Sequence, residues 1–406
     1  MKRLTARFHR WLRHRAASQK KKRNLRRPVL KTSKRLHRQI VDAWFGSHTE
    51  KLLVTEGAVA PPRILCFNQN RDETLSFLHS LRMSLNQSFL SYASAPSVKR
   101  SGNNWVNPGR NARSLSWIRR YHDYSKIEAI STAAALVLSA EYDRSRRLCD
   151  SVPPTINLHT WHPELFRKLY EVGFFEIVGL SEDVAERYRT DGDVRVMRIV
   201  SGKDSEQIAQ AAENILQLAS FIDENDPLEP SVRIALNSSL AEAMSNVAGH
   251  AYPTDENFEV SHVGRWWVAA SADRVSRELT VVIYDQGASI PVTFPKKELK
   301  QHIRDFLLSI IGQAGDHAYS DDAAYIAAAL LPGKTQTNQV NRGLGLPEMK
   351  ELIDISKSGE LCIISRGGTC RYAYKTDIVR EISTHSIGGT LIQWRLKIDR
   401  RKSQDG

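Results

Sequence analysis

SLAEAMSNVAGHAYP, residues 239–253, and ELTVVIYDQGASIP, residues 278–291, decide how the second half of this chain is read. The first lies in a run whose apolar spacing predicts a helix beginning near Ser231. Glu242 and Asn246 are four residues apart and His250 is four further on, so a helix puts all three on one face. An amide oxygen can ligate a hard cation such as Mg²⁺ while a carboxylate beside it orients water. The second run predicts a strand over 279–284 that delivers Asp285 into a turn at Gly287, closed by Pro291. A carboxylate at a strand end can accept a hydrogen bond from an exocyclic amine, and a glycine beside it lets a ligand approach the backbone.

Two more runs follow in order. NRGLGLPEM, 341–349, sets Gly343 and Gly345 before a helix expected over 347–355, and a glycine turn feeding a helix N-terminus exposes N–H groups to anions. The GxxxxGK[ST] spacing of a P-loop is absent, because Gly333-Lys334-Thr335 has no glycine at the required distance upstream. IGGTLIQWRL, 387–396, is a glycine turn entering a strand with an inward hydroxyl at Thr390. Alone, each run is weak: most DxG sequences are turns, and an Asn or His on a helix is more often a surface or satisfied core group.

Taken together, the four runs resemble the Bergerat ATP-binding fold of the GHKL superfamily, which includes gyrase, Hsp90, histidine kinases and MutL. The resemblance covers residues 200–400. Glu242 and Asn246 fall on its N-box, Asp285 and Gly287 on its G1 box, Gly343 and Gly345 on its G2 box. Gly389 and Thr390 fall on the strand that closes beneath adenine. By this resemblance ATP and Mg²⁺ are the cofactors: Asn246 binds the metal, Asp285 the adenine amine, and the glycines with Arg342 serve the phosphates. His250 joins the nucleotide site, its His-Ala-Tyr run being the version seen in sensor-kinase-like and anti-sigma-kinase members, and Glu242 is the candidate general base. The G1 box departs from DxGxGIP in carrying Ser289 for its second glycine. Residues 292–341, with helix-like stretches over 298–311 and 321–331, are expected to form a lid that returns to the phosphates near 333–337.

Upstream, strands expected at 63–67, 117–123 and 155–158 alternate with helices over 72–85, 130–147 and 162–173. That alternation predicts an α/β layer. It resembles the STAS domain of anti-sigma antagonists through DYSKIEAIS, 123–131, STAAALVL, 131–138, and EVGFFEIV, 171–178. The phosphoacceptor junction of that family corresponds to Ser131 and Thr132, without its Asp. A hydroxyl there is more simply an N-cap. The expected organisation is therefore a basic tail over 1–60, a STAS-like α/β regulatory domain over 61–190, and an α+β sandwich of Bergerat type over 191–400.

Charge is unevenly placed. Of 58 Lys and Arg, sixteen lie in residues 1–40 with no acid, and the remaining 42 face 45 Asp and Glu, leaving that body near neutral. A block such as QKKKRNLRRP can bind nucleic acid or an anionic lipid surface through counterion release. Cys66, Cys149, Cys362 and Cys370 form no CxxC pair, which argues against a zinc ribbon or a disulfide framework and fits a cytoplasmic location. No apolar stretch approaches the ~20 residues of a membrane helix. The helix expected over 206–222 carries no His, and His159 and His162 sit at a strand–helix turn, so an orthodox autophosphorylating sensor kinase is not expected. Three outputs stay open: a kinase or ATP-gated signalling switch acting on a partner protein, an ATP-hydrolysing machine, and a nucleotide-dependent binding module. Homodimerisation is left open too.

Overall fold

The computed structural model describes residues 60–94, 122–149, 155–156, 158–180, 184–189, 192–203, 206–223, 228–296, 299, 301–311, 318–331 and 345–398. The basic tail, the segment 333–337, Arg342 and Gly343 lie outside these residues. Two compact units are present. One contains Gly57–Asn86, Tyr124–Val152 and Thr160–Gly406, so the expected boundary near 190 does not separate units. In the other, β2 (His122–Asp123) pairs in parallel with β4 (Thr155–Ile156).

In the larger unit, β1 (Ile64–Leu65) pairs in parallel with β3 (Ala129–Ile130). Helix α1 spans Arg71–Ser94, of which residues 71–86 belong to this unit, and α2 spans Thr132–Cys149. Ser131 caps α2, its Oγ accepting the Ala134 N–H at 3.2 Å, while Thr132 is buried and donates to Ser271 Oγ at 2.7 Å. Both hydroxyls at the expected phosphoacceptor junction are thus occupied structurally. Helix α3 (Pro163–Val172) ends at Gly173 with φ of 88°, the left-handed position that favours glycine, and α4 (Phe174–Ile177) follows.

Next come β5 (Val194–Val196), β6 (Val200–Gly202), α5 (Glu206–Ala219) and α6 (Pro230–Asn246). Strands β7 (Trp266–Asp273) and β8 (Glu278–Asp285) form a hairpin, its turn held by Asp273 Oδ1 accepting the Val275 and Ser276 N–H groups. After α7 (Ile290–Thr293), α8 (Gln301–Ile310), α9 (Asp322–Ala329) and α10 (Gly345–Ser356), the chain adds β9 (Glu360–Ser365), β10 (Gly368–Ala373), β11 (Val379–Ile382) and β12 (Thr390–Lys397). The fold class is α+β, with an eight-stranded antiparallel sheet in the order β11-β10-β9-β12-β8-β7-β5, β6 also pairing with β7.

Helices cover both faces of this sheet. Trp266, Val268, Leu279, Val281, Ile283, Ile392 and Trp394 share one apolar core with α5, α6, α9 and α10. The alternate residues face α2: Trp267 Nε1 donates to Asp143 Oδ2 at 2.8 Å, and Ser271 meets Thr132. Helix α1 binds the far edge, with Arg71 donating to Glu381 at 2.8 Å and to the Ile382 carbonyl at 2.9 Å. Double coverage explains why β8 reads as an unbroken apolar run instead of alternating. Part of the expected lid is core: Ala323, Ile326, Ala327 and Leu330 of the α9 region are buried in the main cluster, and Asp322 accepts the Gly367 N–H at 3.0 Å.

Candidate functional site

Helix α6 begins with Pro230 at its first turn and buries Val232, Leu236, Ser239, Leu240 and Ala243 at helical spacing. That leaves Glu242 and Asn246 half-exposed along its edge, with Asn246 Nδ2 donating to Glu242 Oε1 at 3.1 Å. With its nitrogen so engaged, the amide presents its oxygen to an incoming cation. The helix then widens into a π-turn over Val247–Ala251, a distortion frequent at functional sites, which carries His250 exposed at the surface.

Strand β8 ends in Asp285, whose residue is only 6% exposed. Burial pushes its carboxyl pKa up to about 7, opposed in part by backbone donors from Gly287 and Thr390. The Gly287 N–H reaches Oδ1 at 2.8 Å. Around this carboxylate lies an open-mouthed cleft. Its polar lining is Asn246, His250, Asp285, Ser289, Thr293 and Thr390, and its apolar walls include Ile283, Ile290, Phe294, Leu346, Met349 and Ile392. Apolar walls around a buried carboxylate can take an apolar ring that carries a hydrogen-bond donor.

Asn246, His250, Asp285 and Thr390 therefore meet at one cleft, and Glu242 stands one helical turn away from its lining. Glu348, at the start of α10, has its pKa raised by partial burial and by the nearby Glu242 and Glu351. Gly345 is the first residue of α10, whose Leu346 and Met349 reach the cleft.

The two glycines of the Asp285 neighbourhood do something other than admit a ligand. A Cβ on Gly287 would lie 2.4 Å from the Ala251 carbonyl oxygen, and the next N–H, from Ala288, donates to that same oxygen at 2.7 Å. Gly389, at φ of 138°, would place a Cβ 1.9 Å from the Asp285 carbonyl oxygen. Both glycines let backbone approach backbone. Ser289 takes φ of 80° and ψ of 156°, the glycine conformation, on a residue that has a side chain. Its Oγ donates to the Gly389 carbonyl at 3.0 Å.

Tyr252 was not singled out by the sequence beyond its His-Ala-Tyr run, yet it ties the two boxes. Its OH accepts the Gln286 N–H at 3.0 Å and donates to the Arg265 carbonyl at 2.7 Å. Ser365 is a second such residue: its Oγ accepts the Ile290 N–H at 2.9 Å and shares a hydrogen bond with Thr390 Oγ1 at 2.8 Å. Nothing in ELCIIS marks that serine.

Among the described residues no three His, Cys, Asp or Glu side chains gather at a common metal position. Mg²⁺ carried in on phosphates needs only one or two protein ligands, a requirement Asn246 fits. No protein-family model matches this chain, and no curated protein matches it.

Proposed function

We propose that the protein is an Mg·ATP-binding signalling or regulatory protein with a GHKL-type nucleotide site, acting as a kinase or an ATP-gated switch. The observation that carries this reading is Asp285: a carboxylate buried in the wall of an apolar cleft, fixed by the backbone donors of Gly287 and Thr390, with Asn246 and His250 in the same lining. Its ionised form accepts the exocyclic amine of adenine, and the apolar walls take the ring faces. Asn246 supplies one oxygen to Mg²⁺, which neutralises phosphate charge. Glu242, bonded to the same amide, is placed to take the proton of a water or a hydroxyl acceptor. Arg342, Gly343 and Gly345 are assigned to the phosphates through the resemblance, Gly345 as the opening residue of α10.

A regulatory role is assigned to the segment over 61–190, because its helix α2 covers the face of the sheet opposite the cleft. An ATP-hydrolysing machine and a nucleotide-dependent module that binds nucleic acid or protein are the alternatives. Incubation with γ-labelled ATP and Mg²⁺ separates them: label on protein marks a kinase, free phosphate an ATPase, and retention of intact ATP a binding module. Absence of any ATP binding sinks all three.

A further inference from the structure

Resting on this nucleotide reading, we propose that Arg82 and Glu141, on the helices behind the sheet, are positioning residues for Asp285 and set nucleotide affinity from the face opposite the cleft. The two residues belong to a buried charge network. Glu141 is 0% exposed, and Arg82 and Arg144 are 1% exposed each. Arg82 Nε donates to Glu141 Oε1 at 2.8 Å, and Arg144 Nη2 donates to Oε2 at 2.8 Å. Burial works against the Glu141 charge, but the two guanidinium groups outweigh it and hold the carboxyl below its ordinary pKa.

The network reaches both loops that frame Asp285. Side chains alternate along the end of β8, so Asp285 faces the cleft while Tyr284 and Gln286 pass to the other side. There Gln286 Nε2 donates to Glu141 Oε1 at 3.0 Å. Arg82 Nη2 donates to the Ile387 carbonyl, which also accepts from Tyr284 OH at 3.1 Å. Gly388, at φ of 71°, folds around the guanidinium so closely that a Cβ there would stand 1.5 Å from Arg82 Nη1. One residue on, Gly389 lies against the Asp285 backbone, and Thr390 supplies one of the two backbone donors to its carboxylate. A displacement of residues 387–389 therefore displaces the partners of the adenine acceptor.

A purely structural network would affect every ligand of the site or none. A positioning network affects the base-reading end alone. The test measures calorimetric affinities of the full chain for Mg·ATP and for Mg²⁺ with inorganic triphosphate, in the parent, Arg82→Met and Gln286→Met. Gln286→Met removes a single hydrogen bond, from the side-chain amide to Glu141, and leaves the three charges paired, so it decides the matter if Arg82→Met fails to fold by circular dichroism. Expected is a loss of about 5- to 150-fold in ATP affinity with triphosphate affinity unchanged. Equal losses for both ligands, or no loss for either, overturn the inference. A parent that binds ATP no better than triphosphate overturns the adenine reading itself, and the inference with it.

Discussion

Ser289 holds a conformation that only glycine adopts freely, and its substitution measures what that costs. With φ of 80° and ψ of 156°, the strain on a residue bearing Cβ is about 1–3 kcal/mol. Two effects oppose its relief. The Ser289 hydroxyl donates to the Gly389 carbonyl at 3.0 Å, a bond worth about 1 kcal/mol. That carbonyl keeps the Arg366 N–H as a donor at 3.2 Å, so losing the serine does not orphan it. Glycine also frees the unfolded chain, at about 0.5–1 kcal/mol. Ser289→Gly alone does not isolate the strain, because these quantities cancel in part. Ser289→Ala resolves them, since alanine loses the hydroxyl yet keeps the strained Cβ. The glycine variant should exceed the alanine variant by about 1 kcal/mol, and alanine should fall below the parent by about 0.5–1 kcal/mol. Urea unfolding of the three chains, compared at constant m-value, reads both differences. An alanine variant as stable as the glycine variant would refute the backbone geometry assigned to this turn.

Asp285→Asn should weaken ATP binding by about 1–3 kcal/mol, because an amide offers the adenine amine a mismatched partner; unchanged affinity in a folded variant removes Asp285 as the reader. The pKa of about 7 adds a pH signature: folded Asp285 holds its proton while the unfolded carboxyl has lost it, so ligand-free stability should fall as pH rises from about 4 to 7. Over the same upper range adenine affinity should strengthen with pH, and both trends should flatten in Asp285→Asn. Glu242→Ala should cut turnover by about 10²–10⁴-fold with Mg·ATP affinity retained, whereas Asn246→Ala should weaken that affinity; identical turnover in the Glu242 variant and the parent would reduce Glu242 to a helix-edge pair. Removing residues 1–40 should leave ATP binding intact and abolish salt-sensitive binding to nucleic acid or anionic vesicles, which a binding assay at low and high salt reads directly.

The elements nearest the cleft were legible because their patterns are local. The spacing of Glu242, Asn246 and His250, the apolar run into Asp285 and the turn before Thr390 state their own geometry, and the structure brings all of them to one place. Strand β7 was missed, because WWVAASAD has buried residues on both faces and shows no alternation. Residues 194–196 pair with β7 as β5, a strand too short for its pattern to stand out in the sequence. The helix now seen as α9 read as lid because its alanine-rich sequence has no strong apolar face, although it packs in the main core. Glu141 is the sharpest case. It lies in SAEYDRSRR, a run rich in charge, and the approach of Arg82 across 59 residues of sequence, together with Arg144 in its own helix, makes burial of its charge tolerable.

That buried cluster is hard to explain by stability alone. Replacing an ion triad with apolar residues of similar volume is often neutral or stabilising, whereas removing one partner strands a charge at about 3–5 kcal/mol. An apolar layer would remove the Arg82 donor from the Ile387 carbonyl, which lies in irregular backbone and would keep Tyr284 alone. It could not hold the Gln286 amide, whose residue carries the backbone directly beyond Asp285. The charges stand where two loops leave the sheet, and both loops bear on the same carboxylate. The arrangement favours one geometry of those loops over its neighbours, and it ties that geometry to the docking of α1 and α2. Any event that shifts these helices against the sheet is thereby felt at Asp285, and, by linkage, a nucleotide seated on Asp285 must in turn bias how α1 and α2 dock.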